Sequence, residues 1–259
     1  TPLPETLLEF IRQGNEGLLA LADALEQNEK THAVAAQPLD TVRIMAPIPH
    51  VERNIFCIGK NYADHIAEFD KTAVPELPKY PMIFTKATTS VIGPDDLIDP
   101  HKNVTSALDY EGELAVIIGK EGSDIPVGEA MDYVYGFTIL NDVTARDLQA
   151  NHSQWFHGKS LDTFCPMGPF LLLRDAAPDT FTVVTKVNGE VRQDATTGEF
   201  IFTIPQLIQT LSQGTTLLPG DIIATGTPSG VGVGFNPPKF IHSGDVVEIS
   251  ISDIGTLTN

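Results

Sequence analysis

The chain has 259 residues, 42% hydrophobic and 19% charged, enough to bury one large core with room for a small appendage. Sixteen Lys and Arg stand against 34 Asp and Glu, and the resulting charge of -18 repels phosphate backbones and anionic membrane surfaces. Nucleic acid and membrane are therefore not expected as partners, and no uncharged apolar run approaches the roughly 20 residues of a membrane helix.

Leu7, Leu8, Phe10 and Ile11, then Leu18, Leu19, Leu21, Ala22 and Leu25, recur at helical spacing on either side of Gly14-Asn15. This pattern predicts a helical hairpin over 4–13 and 15–28. Residues 31–49 hold Pro38, Pro47 and Pro49 and read as a linker with one short strand over 42–45. The expected organisation is a small N-terminal helical unit with linker over 1–50 and a main domain over 51–259. In that domain short β runs are expected at 54–58, 82–86, 90–92, 111–118, 134–141, 170–173, 181–187, 221–225 and 245–251. Short helices are expected near 62–68, 128–131, 144–152 and 204–211. Their scarcity argues against a regular βαβ alternation and for an α+β fold on a mixed, curled sheet. Asn188-Gly189 between two β runs is a strong hairpin signal. Cys57 and Cys165 lie in apolar stretches and form neither a disulfide framework nor a CxxC pair, and the N-terminus shows no basic region before an apolar core. A reducing cytoplasm is the expected compartment.

The chemistry concentrates in Leu108-Asp109-Tyr110-Glu111-Gly112-Glu113-Leu114-Ala115-Val116-Ile117-Ile118. Alternation along a strand places Glu111 and Glu113 with Ala115 and Ile117, and Tyr110, Leu114, Val116 and Ile118 on the other face. Two carboxylates leading into a strand apolar on both faces have two readings. Either the strand end projects into solvent, or an oxygen-preferring divalent cation compensates them. Asp142 ends the next strand-like run, before a helix-like segment with Thr144 as a candidate N-cap, and fits both a third ligand and a turn residue. Arg146 and Gln149, three apart, share a helix face directed at a substrate carboxylate or at solvent.

Lys159 lies in a polar loop, 158–169, between Trp155-Phe156 and an apolar strand, where its pKa can fall and its ammonium can stabilise an enolate; a surface lysine is the alternative. His65 and Glu68 share a helical face, as a base and its orienting carboxylate do, or as an exposed pair does. The segment Thr225-Gly226-Thr227-Pro228-Ser229-Gly230-Val231-Gly232-Val233-Gly234 follows a strand but leads into no helix, so it is neither a Rossmann nor a Walker loop. Its N–H groups and Thr227 suit a carboxylate, or the segment is a simple turn. No G-x-S-x-G occurs there and no H-E-x-x-H anywhere.

Tyr62-Ala63-Asp64-His65, Asp109-Tyr110-Glu111-Gly112-Glu113-Leu114, Asn141-Asp142-Val143-Thr144-Ala145-Arg146-Asp147-Leu148-Gln149, the Lys159 to Pro169 stretch and Thr225-Gly226-Thr227-Pro228-Ser229-Gly230-Val231-Gly232 occur in this order. Together they resemble the fumarylacetoacetate hydrolase superfamily from Asn54 onward. The resemblance implies a rolled mixed sheet, a homodimer, and metal ligands at Glu111, Glu113 and Asp142. It places substrate and catalytic groups at Gln149, Lys159 and Thr227, a water-activating pair at His65 and Glu68, and supporting roles at Arg146 and Thr163. It further implies that a small 2-oxo acid chelates Mg²⁺ or Mn²⁺ and that an enolate forms as a bond at C3 breaks. Hydrolysis of an acylpyruvate is the first expectation, oxaloacetate decarboxylation the alternative, and isomerisation of a 2-hydroxy-diene dioate the third. A non-catalytic binding protein using residues 1–50 is the competing class. Residues 69–81 are a candidate lid.

Overall fold

Two helices open the chain in the computed structural model, which describes residues 3–69 and 76–259. Helix α1 (Leu7–Gln13) starts at a Thr6/Glu9 capping box, in which each side chain accepts from the other's backbone N–H. Gly14, at φ 54, lets the chain turn into α2 (Asn15–Thr31). Ile11 is fully buried against Ala46, Ile48 and Ile55, so the hairpin sits on the main core.

The linker differs from expectation. Residues 42–45 form no strand; a 3-10 turn at Leu39–Thr41 precedes them, and Val42 and Met45 stay exposed with no ladder to join. Thereafter come β1 (Ile55–Gly59), α3 (Ala63–Phe69), β2 (Met82–Lys86), β3 (Val91–Ile92), β4 (Leu108–Asp109), β5 (Gly112–Ile118), β6 (Val134–Asn141), β7 (Thr144–Ala145), α4 (Arg146–Asn151) and α5 (Phe156–Lys159). The order continues with β8 (Cys165–Leu173), β9 (Thr182–Val187), β10 (Glu190–Thr196), α6 (Ile204–Ser212), β11 (Ile222–Ala224), β12 (Val247–Ile251) and β13 (Gly255–Thr258). Part of the candidate lid at 69–81 lies outside the described residues.

A seven-stranded sheet runs β2-β1-β11-β5-β6-β8-β3, with parallel pairs at β1/β11 and β3/β8 and antiparallel pairs elsewhere. An antiparallel sheet, β10-β9-β12-β13, packs beside it. The fold is α+β with a curled mixed sheet, the architecture that the resemblance implies. Strand β5 is buried along its whole length, and its alternation divides the core: Leu114, Val116 and Ile118 enter one apolar cluster, Ala115 and Ile117 the other. Asn188 and Gly189, both at positive φ, close the β9–β10 hairpin.

Two further expectations are corrected. Thr144 is not a helix cap; with Ala145 it forms β7, paired to β4 through Asp109↔Thr144, and Ala145 takes the cap position. The polar loop over 158–169 is divided: Gly158 and Lys159 close the short α5, and Cys165 begins β8, where Met167 pairs with Leu140 and Gly168 with Ile139. No helix among the described residues is long and apolar enough to cross a membrane.

Candidate active site

Strands β5 and β6 are antiparallel neighbours in the register Gly112↔Asn141. The same pairing brings the residues just beyond their ends together, and the Asp142 N–H donates to the Glu111 carbonyl at 2.8 Å. Glu111, Glu113 and Asp142 thus converge, one oxygen from each lying within 4.8 Å of the others. All three are buried, Glu111 and Glu113 at 5% and 1% exposure, so the solvated-strand reading fails for this chain.

Three buried cations surround them. Lys159 Nζ lies 2.7 Å from Glu111 Oε2 and 2.6 Å from Asp142 Oδ2. Lys86 Nζ donates to Asp142 Oδ1 at 2.6 Å, and Arg146 Nη1 to Glu111 Oε1 at 2.7 Å. Burial alone would lower the Lys159 pKa, but Asp142 and Glu111 outweigh it and the pKa is raised. The expected fall at Lys159 is therefore corrected: this lysine is held as an ammonium. Burial would likewise raise the Glu111 carboxyl, yet Lys159 and Arg146 keep it well below its usual range. Glu113 is the exception. Burial, then Asp142 and Glu111, push its pKa well up, and neither Lys159 nor the Gly226 N–H, 2.8 Å from Oε2, restores it. Three buried carboxylates offering hard oxygens within reach of one another, one of them, Glu113, without an ion pair among the described residues, suit a divalent cation, so the donor set fits a metal.

Glu111 and Glu113, but not Asp142, line a cavity of about 370 Å³ with His65, Arg146, Gln149, Lys159 and Thr227 and the apolar Ile58, Gly59, Phe84, Trp155 and Val233. His65 Nδ1 lies 2.9 Å from Glu68 Oε2, while Glu68 Oε1 accepts from Gly230 N–H at 2.6 Å; Glu68 itself stands behind the cavity wall. Arg146 and Gln149 are joined, Nη1 donating to Oε1 at 3.1 Å. The Thr227 hydroxyl reaches the cavity, but its hydrogen goes to the Gly112 carbonyl and its oxygen accepts from Gln193. Thr163 lies outside the cavity, accepting from the Asp99 N–H. The glycine-rich segment does bind carboxylates through its N–H groups, but they are the protein's own, Glu113, Glu68 and Asp109.

The sequence reading had passed over Lys86. Its one signal is a lysine closing an apolar strand, which burial turns into a fixed counter-charge for Asp142. Phe84 was missed as well; it stacks edge-on with Trp155, ring centroids 5.3 Å apart, and forms the apolar wall.

Compared with known proteins, residues 54–259 match the family described as fumarylacetoacetate (FAA) hydrolase C-terminal. The chain belongs to the fumarylacetoacetate hydrolase family. Among relatives, oxaloacetate tautomerase YisK of Bacillus subtilis (strain 168) is 50% identical over 262 aligned positions, covering 99% of this chain and 86% of that protein. The solved fumarylacetoacetate hydrolase of Exiguobacterium antarcticum superposes with a TM-score of 0.80 at 43% identity, over 99% of this chain and 87% of that one. A 2-hydroxyhepta-2,4-diene-1,7-dioate isomerase from Mycobacterium marinum gives 0.74 at 40% identity, over 88% and 80% of the two chains. In this family setting the triad is the place where a divalent metal can be held, and the cavity above it is the candidate substrate site.

Proposed function

We propose that this fumarylacetoacetate hydrolase family protein interconverts the keto and enol forms of a small 2-oxo acid, oxaloacetate first, with Mg²⁺ or Mn²⁺ held by Glu111, Glu113 and Asp142. The observation that carries this reading is the buried Lys159 ammonium, in contact with two of those carboxylates at the wall of a cavity that also presents His65, Arg146 and Gln149. The name and 50% identity of the Bacillus subtilis relative support the choice of reaction and substrate.

Tautomerisation asks for little: a proton leaves C3 and another arrives at the 2-oxo oxygen. Held by Glu111, Glu113 and Asp142, a divalent ion would supply Lewis-acid polarisation of the 2-oxo group. Gln149 holds the carboxylate of the substrate by a hydrogen bond, and the Arg146 guanidinium behind it adds charge. Lys159, kept protonated by Asp142 and Glu111, donates toward the oxygen on which negative charge develops. Glu68 orients the His65 ring through Nδ1, and the ring, at the cavity wall, exchanges the C3 proton. The apolar wall of Ile58, Phe84 and Trp155 limits water around the enol.

Hydrolysis of an acylpyruvate is the second reading, and the His65–Glu68 pair favours it because such a pair also activates water. Oxaloacetate prepared as the enol and, in parallel, acetylpyruvate separate the readings when ultraviolet decay of the enol and pyruvate release are followed with Mg²⁺, Mn²⁺ or chelator. Metal-dependent loss of enol without pyruvate supports tautomerisation. Faster pyruvate release from acetylpyruvate makes the protein a hydrolase, and faster release from oxaloacetate makes it a decarboxylase.

A further inference from the structure

Asp109 is fully buried, lies outside the cavity and belongs to none of the groups assigned above to metal or substrate. Its carboxylate nevertheless accepts four hydrogen bonds. Oδ1 takes the N–H groups of Tyr110 at 2.9 Å and Gly232 at 2.7 Å, and Oδ2 takes the Val233 N–H at 3.0 Å and Arg146 Nε at 2.8 Å. Two oxygens with about four lone-pair directions are thereby fully used. The acidic group is held by β4, whose pairing with β7 puts Asp109 opposite Thr144, two residues before Arg146.

The consequence appears at Arg146. With Nε on Asp109 and Nη1 on Glu111 and Gln149, the guanidinium plane is fixed. Its Nη2 is buried and has no acceptor among the described residues. That nitrogen has no free surface, so the donor that can meet a ligand in the cavity is on Gln149. Gln149 is oriented by the same bond: its Oε1 is occupied by Arg146, which leaves its NH₂ as the donor at the cavity.

We propose that Asp109 is a positioning residue that acts through Arg146, which holds Gln149 Oε1 and so sets the Gln149 NH₂ as a donor for the carboxylate of the substrate. This rests on a 2-oxo acid being the substrate class and not on which reaction follows. A purely structural role has a different origin, since Asp109 also fastens Gly232, where a Cβ would come within 2.5 Å of Oδ1.

Oxalate, a planar stand-in for the enolised 2-oxo acid, serves as the probe. Its affinity for the Mn²⁺-loaded protein is measured by calorimetry in wild type, Asp109→Asn, Arg146→Lys and the double variant, beside Mn²⁺ affinity itself. Loss of the charge-assisted bond weakens oxalate by at least ~10-fold when Arg146 is present and by less than ~3-fold in the lysine background, with Mn²⁺ affinity held within ~3-fold. Equal losses in both backgrounds, or a parallel loss of Mn²⁺, overturn the proposal. Asp109→Ser replaces the asparagine variant if that protein does not fold, and failure of both to fold makes Asp109 a folding residue and likewise overturns it. Turnover does not enter the readout, so a wrong choice of reaction leaves this result intact.

Discussion

Glu113 is the residue at which folding and the proposed function conflict. Its raised pKa means that stability is lost as pH rises from the ordinary 4.5 toward the folded-state value and is not regained above it. Glu113→Gln removes that conflict, and the metal-free variant is expected to unfold about 1 kcal/mol later than wild type at neutral pH. The same change deletes a ligand. Wild type at a metal concentration of 100 Kd gains about 2.7 kcal/mol by mass action, and the variant gains little. Thermal unfolding with and without Mn²⁺ checks both effects; a less stable metal-free variant that Mn²⁺ still protects contradicts the assignment. At this scale the sequence displayed the carboxylates through their spacing on a doubly apolar strand. It did not display Lys86 or the roles of Asp109 and Gln193, because their partners, Asp142, Arg146 and Thr227, lie 34 to 56 positions away and only the fold joins them.

Among the elements, α4 carries Arg146 and Gln149, and its first turn is tied down by Asp147. That carboxylate accepts from Thr105 Oγ1 at 2.6 Å and from the N–H groups of Ser106 and Leu148. Partial burial opposes its charge, but the Thr105, Ser106 and Leu148 bonds win, and the pKa lies below 3.8. A depressed carboxyl stabilises above its unfolded pKa and stops doing so as pH falls through the folded value. Asp147→Asn is therefore expected to cost about 1 kcal/mol at neutral pH, with the difference from wild type vanishing in strong acid. Denaturant titrations at the two pH values measure it. Elements with their own local chemistry were legible, as at Asn188-Gly189 and the Gly14-Asn15 break of the helical hairpin. Strands β4 and β7 were not, since two-residue strands exist only by pairing with each other. The absent strand at 42–45 fails for the same reason: β-propensity without a neighbour makes no ladder.

For the whole molecule, the N-terminal hairpin and the rolled sheet share apolar surface through Ile11. Ile11→Ala is expected to destabilise the protein by about 2 to 5 kcal/mol in one cooperative transition, and a loss confined to the helices in hydrogen exchange contradicts that coupling. The architecture could be read from β-rich texture and sparse helices, and the site from motifs that the curled sheet gathers around one cavity. The reaction was less legible, because hydrolysis, decarboxylation and tautomerisation all pass through a 2-oxo-acid enolate formed as a bond at C3 breaks. That shared step is the centre of the account. Its most direct test is the exchange of the C3 hydrogens of oxaloacetate for deuterium, followed by NMR with Mg²⁺ or Mn²⁺ and with chelator. Exchange well above that of metal alone, abolished by chelator and by Lys159→Met, is the expected result. Exchange no faster than metal alone would contradict it.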